Sequence, residues 1–241
     1  MSEEKLAPMR AQVYKDPRPK EHFDRYHARV RRAEPNWVYE VVRMCTSLYA
    51  WVFFRLRSLD SWKVPVAGPV ILAPNHFSFM DHFFTGAGVR RRVQFMAKWQ
   101  LFSKGMQLIY NPGGVFPVRR GVQDEEAFIT GHAILARGNP IVMYCEGGRS
   151  RTASLSEKPK RGIGRLALES GAVVVPVAIH GSSRVRNWKR GRFPKVVVQY
   201  GDPMTWDRVE DPTRDQQQAA ADQIFGSIRE LYSALDERLK P

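Results

Sequence analysis

From Trp37 to about Leu59 the chain contains neither Pro nor Gly, and Trp37, Val38, Val41, Val42, Cys45, Leu48, Tyr49, Val52 and Phe53 recur at helical spacing. That recurrence predicts one amphipathic helix with a wide aromatic stripe. Past the break at Pro65 and Pro69 the pattern shortens. VILAP (70–74) reads as a strand, 81–87 as a short helix, VQFMA (93–97) as a strand and 99–109 as a helix. A strand over 115–119 precedes a helix over 124–137, with Asp124 as N-cap and Gly138 as stop, and then a strand over 141–145. A helix over 160–170, strands over 173–179 and 196–200, and a final amphipathic helix carrying Ile224, Ile228, Leu231, Leu235 and Leu239 complete the pattern. Pro176 removes a ladder donor and predicts an edge or irregular position for the 173–179 strand.

Strand and helix alternate throughout this stretch. An α/β domain follows, with a mostly parallel central sheet flanked by helices. Its expected extent is 64–241, preceded by a membrane-associating helix over 36–63. Residues 1–35 are polar, hold four prolines and alternate in charge sign, which predicts an extended or partly helical arm.

Charge sharpens the picture. The 241 residues carry 38 Lys and Arg against 24 Asp and Glu, a net +14, and residues 82–200 alone account for +14 while 201–241 carry −4. An anionic partner for the middle of the fold is implied. Cys45 and Cys145 lie a hundred residues apart, too sparse for a zinc site or disulfide framework, and suit a reducing cytosolic setting. No metal is expected. The N-terminus lacks a secretory pattern and no apolar run reaches eighteen residues, so neither export nor a transmembrane anchor is expected.

Candidate chemistry lies where strands give way to loops, the place ligands collect in open α/β sheets. In NHFSFMD (75–81), His76 suits proton removal near neutral pH and Asp81 suits holding its other ring nitrogen. Five residues in a continuous helix would turn the pair about 140° apart, so they meet only if the chain bends between them. An unrelated His and an N-cap Asp fit the residues equally well. In GGVFPVRR (113–120), paired arginines suit phosphate capture, though two solvated arginines are the plainer reading. In YCEGGRSR (144–151), Arg149 suits an anion, with Glu146 orienting it or a substrate hydroxyl; the Gly-Lys-Ser/Thr ending of a nucleotide loop is missing. Cys145 as a nucleophile is disfavoured by its place in a strand.

Together NHFSFMD, GGVFPVR, EGGRS and VVPVAI resemble, in order and approximate spacing, the four motifs of the glycerolipid acyltransferases, the group that includes the 1-acyl-sn-glycerol-3-phosphate acyltransferases. The resemblance covers residues 68–201. It implies acyl transfer from a thioester carrier, acyl-CoA or acyl carrier protein, to a hydroxyl of a lysophospholipid such as lysophosphatidic acid, giving phosphatidic acid. Glycerol 3-phosphate or another lysolipid or glycolipid is the alternative acceptor. The thioester is a co-substrate, and no cofactor is implied. By the same resemblance His76 is the base and Asp81 its partner, Arg119 matches the phosphate-binding arginine of the second motif, and Glu146, Gly147 and Arg149 match the third. Lys98 falls where such proteins often carry a basic residue near the acceptor phosphate. The third motif usually reads Phe-Pro-Glu-Gly-Thr-Arg, so Tyr144, Cys145 and Gly148 depart from it, which bears on acceptor identity. Backbone N–H groups near Gly147, Gly148 or the start of the Asp81 helix are candidate oxyanion donors.

Greasy substrates give the first helix a task. Its uncharged stretch, 44–54, is too short to span a bilayer but suits immersion in one leaflet, with Trp37, Val41, Leu48, Trp51, Val52 and Phe53 as contacts and Arg55, Arg57 and Lys63 meeting lipid phosphates. An ordinary packed helix is the alternative. A peripheral or monotopic place on the cytoplasmic side of the cell membrane is expected. RVRNWKRGRFPK (184–195) interleaves basic and aromatic residues and suggests a competing nucleic-acid-binding function. That function leaves the His-Asp and Glu-Gly-Gly-Arg loops unexplained, so no nucleic acid partner is expected. A catalytically silent lipid-binding module is disfavoured by His76 and Asp81.

Overall fold

In a computed structural model of the chain, residues 6–9, 16–102, 105–120 and 124–240 are described. Seven strands form one sheet: β1 (Arg57–Leu59), β2 (Val70–Pro74), β3 (Gln94–Lys98), β4 (Phe116–Val118), β5 (Pro140–Val142), β6 (Val173–His180) and β7 (Val197–Tyr200), in the spatial order β1-β7-β6-β2-β5-β3-β4. Among the described strand pairs, only β6–β7 is antiparallel.

Helices cover both faces, which is why all five residues of VILAP are buried. Ile71 and Ala73 point to one side, where α5 (Glu125–Ala136), α6 (Gly162–Ser170) and α7 (Arg214–Leu239) supply Ile134, Leu166, Ile224 and Phe225. Val70 and Leu72 point to the other, where α2 (Trp37–Phe54) and α3 (Asp81–Ala87) supply Ala50, Phe54 and Phe84. Helices α6 and α7 approach so closely that a Cβ on Gly164 would lie 1.9 Å from the Gln217 carbonyl oxygen. Thr213 and Gln216 close a reciprocal capping box at the start of α7.

Several expectations are corrected. Residues 21–32, expected within an extended or partly helical polar arm, do form a helix, α1 (Glu21–Arg32), but it packs into the fold, with Phe23, Tyr26 and Val30 buried at spacings of three and four. Phe23 and Tyr26 pack on Phe102, and Val30 joins the α5 side of the core. Helix α2 stops at Phe54, because Arg55 takes a left-handed conformation (φ 46°) and the chain turns into β1 beside β7. The helix expected over 99–109 is instead a 3-10 turn at Trp99–Leu101 and a single turn, α4 (Gln107–Tyr110); residues 103–104 lie outside the described residues.

Pro176 sits in an interior strand, not at an edge. Its carbonyl accepts from Gly201 N at 2.8 Å, so its missing donor faces the same side, where the β7 ladder has already ended at Tyr200. The Pro176–Gly201 pair thus keeps one of its two antiparallel bonds, and pairing resumes only at the Val174–Met204 bridge, the irregular position expected of this proline. Among the described residues, no helix is long and apolar enough to cross a membrane.

Candidate active site

The loop leaving β2 is sewn to the sheet before any chemistry begins. Asn75 Nδ2 donates to Ile179 O at 3.2 Å and its Oδ1 accepts from Ile179 N at 2.7 Å, so the side chain continues the ladder to β6. The chain then bends, and Asp81, at the head of α3, gathers the bend on one oxygen. Its Oδ2 accepts from His76 Nδ1 at 2.9 Å, Phe77 N at 2.7 Å and Ser78 N at 2.7 Å. Asp81 Oδ1 is buried without a partner among the described residues. A carboxylate only accepts, so Nδ1 carries the proton and Nε2 keeps the lone pair. Burial lowers the His76 pKa, the Asp81 hydrogen bond and charge oppose that, and Arg120 and Arg149 lower it further.

The second grip on His76 comes from the loop after β5. Glu146 Oε1 accepts from His76 N at 2.9 Å, and Ser150 N donates to His76 O at 2.8 Å. Glu146 Oε2 accepts from Ser156 Oγ at 2.8 Å. This carboxylate, expected to orient Arg149 or a substrate hydroxyl, thus holds the His76 backbone, and burial raises its pKa. Gly147 makes the turn with φ +67°, and its N–H, a candidate oxyanion donor, is engaged by Tyr144 O at 3.1 Å. Tyr144 stacks on the His76 imidazole, ring centroids 3.9 Å apart and 19° from parallel. Cys145 lies in the α5 side of the core, where burial pushes its thiol well up.

His76 opens onto a cavity of about 550 Å³. Its walls are largely apolar, formed by Phe83, Gly86, Phe95, Ile109 and the inner side of α2 at Tyr39, Val42, Arg43 and Thr46. Lys98, Arg120 and Arg149 also line it. Burial, then Arg120 and Arg149, hold the Lys98 ammonium below the usual lysine range. An apolar chamber with a few convergent polar groups is the usual form of a small-molecule site.

Arg119, matched to the phosphate-binding position, does not line this cavity. Its backbone N donates to Asp124 Oδ2 at 2.7 Å, its Nη2 donates to Asp124 Oδ1 at 3.0 Å, and its guanidinium lies 5.8 Å from the Trp99 ring centre. Asp124 therefore serves Arg119 in place of the N-cap side-chain bond expected of it. The neighbouring Arg120 takes the cavity position. Successive residues leaving a strand point to opposite sides, so a one-residue choice decides which arginine faces the site. The acid five residues beyond Arg119 is the available signal. Sequence reasoning also misses His82, which lines the cavity, lies tilted against Phe83 at 4.0 Å and edge-on to Phe95 at 5.8 Å, and has its pKa lowered by burial to about 4.

On the outer side of α2, Trp37 (69% exposed), Val41, Met44 (65%), Leu48 (58%), Trp51 and Val52 form an open apolar stripe, while Phe53 is half-turned onto Phe193 at 5.0 Å. Of the flanking bases, Lys63 pairs with Asp202 at 2.7 Å and Arg55 donates to Phe193 O at 2.7 Å. The aromatic residues of the 184–195 segment, Trp188 and Phe193, are partly buried against the α2 side of the core.

The fold is similar to that of the crystal structure of the 1-acyl-sn-glycerophosphate (LPA) acyltransferase PlsC from Thermotoga maritima, with a TM-score of 0.68, 17% identity and 91% of each chain covered. The acyltransferase family model matches residues 55–180, a span that holds the His76 loop, the Arg120 strand end and the Glu146 loop. Covering more than half of the chain, that match places this protein in the acyltransferase family.

Proposed function

We propose that this acyltransferase moves a fatty acyl group from an acyl thioester, acyl-CoA or acyl carrier protein, to a hydroxyl of a lysophospholipid such as lysophosphatidic acid. The observation that carries the reading is a His76–Asp81 pair at 2.9 Å at the head of an apolar chamber lined by Lys98, Arg120 and Arg149. A hydroxyl is a poor nucleophile. In this mechanism His76 Nε2 takes its proton as the oxygen attacks the thioester carbonyl carbon, a contribution on the order of a hundred- to ten-thousandfold. The C–S bond then breaks, and the imidazolium returns the proton to the departing thiolate. Lys98, Arg120 and Arg149 hold the acceptor phosphate, and the apolar chamber receives the acyl chain.

The open stripe on α2 supports a seat on the membrane surface, where both acceptor and product reside. Large apolar side chains facing outward from one side of a helix suit insertion to headgroup depth rather than spanning. Purified protein incubated with an acyl-CoA and a panel including glycerol 3-phosphate, lysophosphatidic acid and a phosphate-free monoacylglycerol tests the reading by mass spectrometry of products. Phosphatidic acid from lysophosphatidic acid is expected; equal reaction of the phosphate-free acceptor refutes the role of the cations. Flotation with anionic vesicles tests the seat: Leu48→Asp with Trp51→Asp is expected to abolish it, and undiminished flotation refutes it.

A further inference from the structure

The 182–190 turn, part of the basic and aromatic segment, lies just beyond the family-matched span. It is anchored directly to the sheet. Gly181, at the end of β6, has φ +81°, and a Cβ there would lie 2.2 Å from Lys195 O. Ser182, Val185 and Asn187 are buried beneath the turn. From this platform Arg186 reaches back to the site. Its Nη1 donates to Arg151 O at 3.0 Å, and its Nη2 donates to Ser150 O at 2.5 Å and lies 3.5 Å from Phe77 O.

All three carbonyls belong to the two loops that build the active site, one following His76 and the others following Arg149. Those loops touch each other through Ser150 N and His76 O, so Arg186 buttresses the junction from behind. Among the described residues Arg186 makes no ion pair, its Nε is buried without a partner, and it does not line the cavity. Five donors in a rigid fork suit bridging several carbonyls, which an ammonium cannot do with fixed geometry. A surface arginine serving solubility would not be aimed inward, and one serving the core would not choose loop carbonyls alone.

We infer that Arg186 is a positioning residue, fixing the spacing between the His76 loop and the Arg149 loop so that the base and the acceptor-binding cation face the same cavity. The kinetic part of this inference rests on the function proposed above; the structural part does not. Misplacement by about 1 Å costs on the order of a hundredfold in rate.

The test uses the full chain as Arg186→Met and Arg186→Lys, alone and with Arg149→Met, read by hydrogen exchange and by steady-state kinetics. Arg186→Met is expected to speed exchange in 76–80 and 147–152 while leaving β2, β5 and β6 protected. It is expected to lower kcat/KM about a hundredfold, with acceptor KM raised and donor KM unchanged, and Arg186→Lys to recover only part of the loss. In the Arg149→Met background the acceptor KM effect of Arg186→Met should vanish while its kcat effect remains. Unchanged exchange in both loops, acceleration spread across the whole sheet, or full recovery by Arg186→Lys would overturn the inference. If Arg186→Met does not fold, Arg186→Lys decides: local exchange acceleration supports it and wild-type exchange overturns it. A wild-type protein inactive toward every acceptor refutes the proposed function, while the exchange result still judges the clamp.

Discussion

Replacing Asp81 by Asn isolates the charge from the geometry. The Asn side-chain oxygen can still accept from Phe77 N and Ser78 N, both 2.7 Å from Asp81 Oδ2, so the bend after β2 should persist. What disappears is the negative charge facing an imidazole that, in the proposed mechanism, becomes positive as the acceptor loses its proton. Unit charges about 4 Å apart at an effective dielectric of about 20 attract by about 4 kcal/mol. Because that attraction exists only once His76 is protonated, it belongs to the transition state and not to the bound substrate, and about 4 kcal/mol corresponds to about a thousandfold in kcat. The assay is thiol release from acyl-CoA, followed with a chromogenic disulfide at saturating lysophosphatidic acid. Both substrates should keep their KM values. The pH profile adds a signed test. Burial already lowers the His76 pKa and Asp81 opposes it, so the acidic limb of kcat/KM should lie below the ordinary histidine value of about 6.5 and move to still lower pH in Asp81→Asn. A folded Asp81→Asn within tenfold of wild type, or an acidic limb that moves upward, would refute the reasoning.

Arg120→Met should raise acceptor KM at least tenfold, whereas Arg119→Met should leave KM alone and lower stability by about 1–2 kcal/mol, since its pair with Asp124 is partly exposed; acceptor titration and urea melts distinguish them, and the reverse pattern would return the phosphate to Arg119. Gly86 sits on the cavity wall, where a Cβ would have Phe95 and Tyr39 as its nearest neighbours at 3.5 and 3.9 Å, so Gly86→Leu should fold and shift donor preference toward shorter acyl chains, read by competition among thioesters of different length. His27 is buried against Thr130 with its pKa lowered to about 4, so the unfolded chain binds a proton that the folded chain refuses between about pH 6.5 and 4. Stability should therefore fall as pH drops through that window, by about 3 kcal/mol for this group, and urea melts of His27→Gln should show a shallower fall.

Much of the framework is legible in the sequence because it obeys local rules. VILAP and the 173–180 strand are apolar runs too short for helices, and both faces of each are covered. The bend joining His76 to Asp81 is deducible as a condition, since a straight helix would separate them, but not as a fact. The misreadings have physical causes. The α1 pattern of Phe23, Tyr26 and Val30 is hidden among charges and prolines, whose effect on composition outweighs the spacing. Arg55 carries no signal that it takes a left-handed conformation and ends α2, since that depends on β1 finding β7. Arg119 and Arg120 are chemically alike, and only the side of the strand end on which each emerges separates them. Glu146 and Arg186 act on backbone atoms far away in the chain, a kind of partner that no linear motif specifies.

Helix α2 carries two messages written in the same eighteen residues. Trp37, Val41, Met44, Leu48 and Trp51 face outward while Tyr39, Val42, Arg43 and Thr46 face the cavity, so the partition is only one helix thick. The two sets interleave along the helix, and Ala50 and Phe54 pin its C-terminal end to the sheet. A single inserted residue after Tyr39 would turn everything beyond it by about 100°, carrying the outward stripe partly into the chamber and the chamber lining partly into the open. A point substitution alters one side of such a wall at a time, but its length and phase cannot change without altering both surfaces at once.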